Sequence, residues 1–310
     1  MQIIITGSLA FDQIMVFPGT FKENIMPERL HILSLSFLVD KLHKNFGGVA
    51  GNICYNLGML GKNPICLSCL GEDGEDYEAF LAKNGVDTDY INIVDTDYTA
   101  SFVVINDKVN CQIAGFYPGA MRNDVNLPLE QILDKDTDNF LVIAPTVPEA
   151  MGKYLQIAKA RNIRYLFSPA QQIPSLSEAT LIDGINHAEV IIGNDYEIAL
   201  IEKKTGMSRE NILEKVKVMI TTFGEKGSVI EQKDKPKIEI GVAKPREIKD
   251  PTGAGDAYIA GFLSAYLDQK SLIECGQTAA TAAVYALEEF GTTAHSFSLN
   301  LFENRFKENF

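Results

Sequence analysis

Apolar runs and helical repeats alternate along most of the chain. Residues 2–9 (QIIITGSL) read as a first strand that ends at Gly7-Ser8. After Gly47-Gly48, the positions Ala50, Ile53, Cys54, Leu57 and Leu60 recur at the spacing of an amphipathic helix. A strand at 64–70 and a helix around 75–84 follow. Further strands are predicted at 140–144 (FLVIA), 164–168 (RYLFS), 189–193 (EVIIG) and 217–222 (KVMITT), with helices between them. The last two helices fall at about 255–268 and 271–289. Strands that alternate with helices form βαβ units, so the pattern predicts a mainly parallel central sheet covered on both faces.

Two stretches break this rhythm. Residues 11–40 carry short apolar pieces punctuated by Pro18-Gly19 and Pro27. Residues 99–118 run SFVVI, Asn106-Asp107, then VNCQIAGFY, which is a hairpin pattern. Strands inserted between βα units must build a separate small sheet. Standing over the carboxyl edge of the main sheet, it would act as a lid on a ligand site. No repeat, low-complexity run or linker interrupts the chain. It therefore reads as one domain over 1–310, with the lid supplied by insertions at about 11–40 and 99–118.

Composition narrows the function. With 310 residues, 46% hydrophobic and 22% charged, the chain is that of a soluble globular protein. No apolar run is long enough to span a bilayer, and the start MQIIITGSLAFDQIMVF lacks a basic flank and a cleavage site. A cytoplasmic location is the expectation. The 28 Lys and Arg against 41 Asp and Glu leave a net charge of −13, which disfavours nucleic acid or membrane as the main partner. Backbone amides can still create a local anion site on so acidic a protein. Five cysteines are an odd number and too few for a disulfide scaffold. Cys66 and Cys69 have metal-like spacing, but on a strand residues three apart point to opposite faces. His31, His43, His187 and His295 are isolated, and each reads as a surface or hydrogen-bonded residue.

The strongest chemical signal is Asp250-Pro251-Thr252-Gly253-Ala254-Gly255-Asp256, followed by a helical repeat. Small residues at 253–255 let successive N–H groups point at one spot, where the new helix adds its positive end. Such a site suits a phosphate, and above all the charge that develops on a phosphoryl group in transit. Asp256 at its mouth is placed to take the proton of an attacking hydroxyl. The plainer reading is a Gly-rich helix start with an Asp cap. Walker A, dinucleotide-fingerprint and protein-kinase spacings are all absent.

Four further segments stand out. Gly47-Gly48-Val49-Ala50-Gly51-Asn52 allows close approach to the backbone, and Asn52 both donates and accepts. Asp12, just past the first strand, could grip a pair of hydroxyls. Asn194 and Glu197 share one face of a first helical turn and could hold Mg²⁺ through waters, or merely favour a helix start. Thr222-Phe223-Gly224-Glu225-Lys226-Gly227 turns a strand end through two glycines against which a nucleotide could lie.

Together these segments resemble the ribokinase-like carbohydrate and nucleoside kinases, the PfkB family, over essentially the whole chain and in the same order. Gly47-Gly48…Asn52…Gly61…Gly71 matches the first family signature, with Cys54 where Ser, Thr or Ala is usual. Asp250-Pro251-x-Gly253-Ala254-Gly255-Asp256-x-x-x-Ala260-Gly261 matches the second throughout. Asn194-x-x-Glu197 and Thr222-x-Gly224-x-x-Gly227 match two more motifs. The resemblance implies a three-layer α/β/α fold with a β-sheet lid. It implies ATP as co-substrate with Mg²⁺, and an acceptor held between lid and sheet. By the same resemblance, Asp256 is the base, Gly253, Ala254 and Gly255 form the anion hole, and Asp12, Gly48 and Asn52 hold the sugar. Asn194 and Glu197 serve Mg²⁺ and phosphate, and Thr222, Gly224 and Gly227 line the nucleotide. Asp250 and Thr252 match a segment near which many relatives bind a monovalent cation such as K⁺.

The acceptor is less legible. Gly115-Phe116-Tyr117-Pro118-Gly119-Ala120-Met121 looks like the lid segment of microbial adenosine and nucleoside kinases. Its aromatic residues could stack on a purine or simply pack the lid on the body. Lys108, Arg122 and Gln112 are too few to suit a phosphosugar. A nucleoside is the first reading and a free sugar such as ribose or fructose the second. A nucleotide-binding sensor without chemistry is the reading from another class. The exposed lid edge could also pair two subunits.

Overall fold

In the computed structural model, which describes residues 1–109, 111–133 and 137–310, the strands divide into two sheets. In chain order they are β1 (Gln2–Thr6), β2 (Ala10–Val16), β3 (Lys41–Gly47), β4 (Ile65–Gly71), β5 (Ile91–Val94), β6 (Ala100–Asn106) and β7 (Gln112–Tyr117). There follow β8 (Asn139–Ile143), β9 (Arg164–Phe167), β10 (Val190–Asn194), β11 (Val218–Thr222), β12 (Ser228–Glu231) and β13 (Ile238–Ile240). The large sheet has the order β13-β12-β11-β10-β9-β8-β1-β4-β5. It is parallel from β5 to β11, and β12 and β13 add an antiparallel edge.

Alternate residues of these strands feed two cores. Ile5, Val142, Leu166 and Val190 pack on one face with the helices Val49–Met59 and Ala254–Leu267. Ile4, Leu141, Phe167 and Ile191 pack on the other, against the helix Pro148–Arg161 and its neighbours. A sheet buried on both sides explains why its strands read as unbroken apolar runs. Cys66 belongs to the first core and Cys69 to the second, so the pair points to opposite faces.

The second sheet has the order β3-β2-β6-β7. All of its strands root at the carboxyl edge of the large sheet. β2 begins four residues after β1 ends, β3 runs straight into the helix Val49–Met59, and the Thr99 hydroxyl before β6 accepts from Gly71 N–H at 2.9 Å. Strands β1 and β8 are neighbours, yet the chain leaves them in opposite directions, to β4 and to β9. In such sheets the crevice outside that switch point is where ligands bind.

Some elements differ from expectation. β3 extends the lid beyond the expected 11–40 stretch; four of its seven residues are exposed and polar positions dominate its outer half, so it carries no apolar alternation. A helix at Leu299–Asn309 follows the two expected last helices. It buries only Phe302 and Arg305, too little to give a clear apolar repeat. Asn110, in the expected second strand of the hairpin, lies outside the described residues.

Candidate active site

The site is built where the ends of β9, β10 and β11 meet the start of the helix Ala254–Leu267. Gly253, in a left-handed conformation (φ 80°), caps the helix Ala254–Leu267. The loop before it is held by Asp250, whose two carboxylate oxygens accept from Thr252 N–H at 2.9 Å and Gly291 N–H at 3.2 Å. Among the described residues, the N–H groups of Gly253, Gly255 and Asp256 have no acceptor. Ala254 N–H makes only a long 3.4 Å contact with the Pro251 carbonyl. Three unengaged donors at a helix N-terminus make a ready anion site. The Ala254 amide, one of the three expected donors with Gly253 and Gly255, is partly spent on the turn itself, and the Asp256 amide stands open beside them.

Asp256 lies in the first turn of that helix, half-buried. Its Oδ2 accepts from Asn52 Nδ2 at 2.7 Å. Burial pushes its carboxyl up to about 7; the Asn52 hydrogen bond pulls the other way, and the charges of Asp12 and Glu197 push it up further. Asp12, on β2 and not in a loop, is pushed up to about 6, by burial first and then by the charge of Asp250. Asn52 is 3% exposed, and its Oδ1 has no partner among the described residues. Gly48, the residue before the helix Val49–Met59, has φ 84°, and a Cβ there would lie 2.5 Å from the Ser8 carbonyl oxygen. Chain crossing alone accounts for glycine at this position.

A cleft of about 250 Å³ runs from Asp256 and Gly255 past Asn194, Glu197 and Thr222 to Ser168. Asn194 and Glu197 form a reciprocal cap. Asn194 Oδ1 accepts from Glu197 N–H at 2.8 Å, and Glu197 Oε2 accepts from Asn194 N–H at 2.9 Å. Glu197 Oε1 remains without a partner among the described residues. Gly224 and Gly227 shape the turn after β11 and do not line the cleft. Ser168, Ala170 and Gln171 do line it. Sequence reasoning missed them, since nothing in SPAQQ stands out as a motif; the one local signal is conformational, Ala170 at φ 36°. Strained backbone of this kind costs about 1–3 kcal/mol and tends to gather at functional sites.

The lid contributes a row. Register pairs Asp12 with Asn45 on one side and with Phe102 on the other, and Phe102 with Phe116, so all four side chains share one face. Phe116 is 51% exposed. Tyr117 is otherwise engaged: its hydroxyl donates to Asp97 at 2.5 Å and Arg122 stacks on its ring at 5.3 Å. Of Phe116 and Tyr117, only Phe116 is free to meet a ligand.

Among the described residues no Lys or Arg lines the cleft, and no cluster of His, Cys, Asp and Glu has the form of a metal cage. A phosphate chain entering beside Glu197 and Asp256 would need a cation of its own. That donor set fits Mg²⁺, which keeps several waters and takes one or two carboxylates besides phosphate. No helix is long and apolar enough to cross a membrane among the described residues.

A model of the pfkB family of carbohydrate kinases matches residues 9–298. A nucleoside kinase from Methanocaldococcus jannaschii is 33% identical over 260 residues, 83% of each chain. The solved structure of a Burkholderia thailandensis nucleoside kinase in complex with inosine superposes with a TM-score of 0.88 at 30% identity, covering 99% of this chain and 98% of that one. A ribokinase from Haemophilus influenzae is 27% identical over 251 residues, 77% of this chain and 81% of its own.

Proposed function

The chain belongs to the pfkB family of carbohydrate kinases, and from that premise we propose that it transfers the γ-phosphoryl group of ATP to a sugar hydroxyl of a nucleoside. The observation that carries the reading is the Asp256 carboxylate standing beside the unengaged amides of Gly253 and Gly255, at the mouth of the cleft. A base and an anion hole at one point are what phosphoryl transfer to an alcohol requires.

The acceptor lies between the lid and the sheet edge. The Asp12 carboxylate and the unpartnered Asn52 Oδ1 accept from its sugar hydroxyls. The reacting hydroxyl gives its proton to Asp256 while its oxygen bonds to the γ-phosphorus. The bond from that phosphorus to the bridging oxygen breaks, and ADP leaves with the electron pair. Gly253, Gly255 and Asp256 N–H groups, with Ala254 N–H at the margin, receive the charge on the moving phosphoryl oxygens. Thr222 and the β10 end border the nucleotide. Glu197 Oε1, with Asn194 beside it, would hold Mg²⁺, and the ion would supply the charge that neutralises the phosphates. A monovalent cation such as K⁺ near Asp250 and Thr252 would offset the three carboxylates Asp12, Asp250 and Asp256.

A nucleoside is favoured over a free sugar by the row Asp12–Phe102–Phe116. A sugar gripped at Asp12 puts its base over the neighbouring aromatic rings, where stacking is worth about 0.5–1.5 kcal/mol per pair. The test is ADP release from Mg-ATP with adenosine, inosine, guanosine, cytidine, ribose and fructose, in KCl and in NaCl. Turnover with a nucleoside at least tenfold above ribose and fructose is expected. Turnover with the free sugars alone would assign the second acceptor, and ATP binding without turnover on any acceptor would leave a sensor.

A further inference from the structure

His295 is a buried titratable residue that the reaction above does not use. It is 2% exposed and sits between the helices Leu272–Leu287 and Leu299–Asn309. Three contacts lock it to one turn of the helix Val49–Met59. Nε2 lies 2.9 Å from Asn56 Oδ1, the backbone carbonyl accepts from the Tyr55 hydroxyl at 2.5 Å, and the Tyr55 ring meets the imidazole edge-on at 5.4 Å. Burial lowers the imidazole pKa to about 4, so the ring is neutral at pH 7. Asn56 Nδ2 is already spent on the Asn52 carbonyl at 2.9 Å, which leaves Oδ1 to accept and makes Nε2–H the donor.

The segment leading to His295 touches the Asp250–Gly253 loop and the end of β3. Gly291 N–H holds Asp250, the Thr292 and Thr293 hydroxyls both donate to the Phe46 carbonyl at 3.0 Å, and the Thr292 side chain fills the space where a Cβ on Gly253 would fall, at 2.8 Å. Five residues thus join the end of β3, the loop with the free amides and the helix that carries Asn52. Nδ1 of His295 has no partner among the described residues. A leucine would avoid that desolvation cost and still pack against Tyr55 and Phe297. What the imidazole adds over a leucine is a directed hydrogen bond.

We propose that His295 is a positioning residue for phosphoryl transfer: by pinning Tyr55 and Asn56 it fixes the turn bearing Asn52, and through Asn52 the carboxylate of Asp256. Asn52 and Asn56 are four apart, one above the other on the helix, so a shift at 56 is felt at 52. A displacement near 1 Å at a reacting group costs up to roughly 10²-fold in rate.

The inference rests on Asp256 as the base, and the experiment separates the two. Parent, Asp256→Asn, His295→Leu, His295→Gln, Asn52→Ala and the double variant His295→Leu/Asn52→Ala are compared with Mg-ATP and the best acceptor of the panel. His295→Leu is expected to lower kcat about tenfold with the KM for ATP within about twofold. His295→Gln, which keeps a donor near Nε2, should recover most of that loss at a similar Tm. In the double variant the two losses should not multiply, because one acts through the other. Full multiplication, or a His295→Leu enzyme with kcat within twofold of parent, overturns the inference even when Asp256→Asn is inert. An active Asp256→Asn enzyme instead removes the reading beneath it. Should His295→Leu fail to fold, Asn56→Ala deletes the acceptor from the other side; the same kcat loss supports the proposal and unchanged kcat overturns it.

Discussion

The amide of Asn52 donates to the carboxylate of Asp256 at 2.7 Å, joining the helix after the first glycine pair to the helix after the second across 204 positions of sequence. The two signature segments therefore meet at one hydrogen bond. It aims the carboxylate oxygen while leaving the neighbouring amides open. From it follows the first expectation. Asp256→Asn keeps the shape of the side chain and removes the proton acceptor. Turnover should fall by roughly 10²–10⁴-fold, the usual contribution of a general base, with ATP affinity near normal. Steady-state ADP release with equilibrium titration of ATP checks it, and turnover within about tenfold of parent counts against the assignment.

The rate should depend on pH through the same group. Asp256 must be ionised to accept a proton, and burial places its carboxyl at about 7. The expected profile of kcat/KM rises through about pH 7 and levels above it. The Asn52 hydrogen bond pulls that pKa down. Asn52→Ala should thus move the rising limb to higher pH and cost roughly tenfold at pH 7. A limb that stays in place when Asn52 is cut would separate it from Asp256.

Stability should run the opposite way. The carboxyl of Asp256 ionises near 3.8 when unfolded and near 7 when folded. Between those values the folded chain holds a proton that the unfolded chain has released, so stability falls as pH rises across the window. Asp256→Asn removes this penalty. Relative to parent it should gain on the order of 1 kcal/mol at pH 8, about 2 °C in Tm, and little at pH 4. Melting curves at both pH values decide it; a gain that is larger at pH 4 would contradict the half-buried, proton-holding carboxyl.

Much of this architecture was readable from the chain because the physics was local. Runs such as 140–143 (FLVI) and 190–192 (VII) are apolar at every position since helices cover both faces of the sheet, and that unbroken run carries the fact directly. The glycine segments were readable for a similar reason: a helix start with bared amides needs small residues in a row. What escaped depended on distant partners. β3 has an exposed outer half, and its strand character comes from pairing with β2. The aromatic row on the lid exists only once the register of β2, β6 and β7 is known. The contact of Asn56 with His295 spans 239 positions, and neither residue looks unusual in its own neighbourhood.

Glycines that match one family pattern need not do one job, and two of them here should respond in opposite ways. Gly255 follows the first residue of its helix, and a Cβ built on it meets nothing within 4 Å. Gly255→Ala should leave the stability unchanged or raise it, by up to about 0.5 kcal/mol, since alanine favours the helix. Its methyl group would stand in the cleft beside the free amide. We expect kcat to fall at least tenfold, given that an oxyanion donor is typically worth roughly 10²–10³-fold. Gly227 has φ 86°, and its Cβ would come within 2.1 Å of the Ile240 carbonyl oxygen, with no contact to the cleft. Gly227→Ala must push β13 away from the turn after β11. The expected cost is about 2 kcal/mol or more in stability, with kcat per folded molecule near that of the parent. Thermal melts paired with active-site-normalised kinetics separate the two, and the reverse assignment, a stable but inert Gly227→Ala, would place the nucleotide against that turn after all.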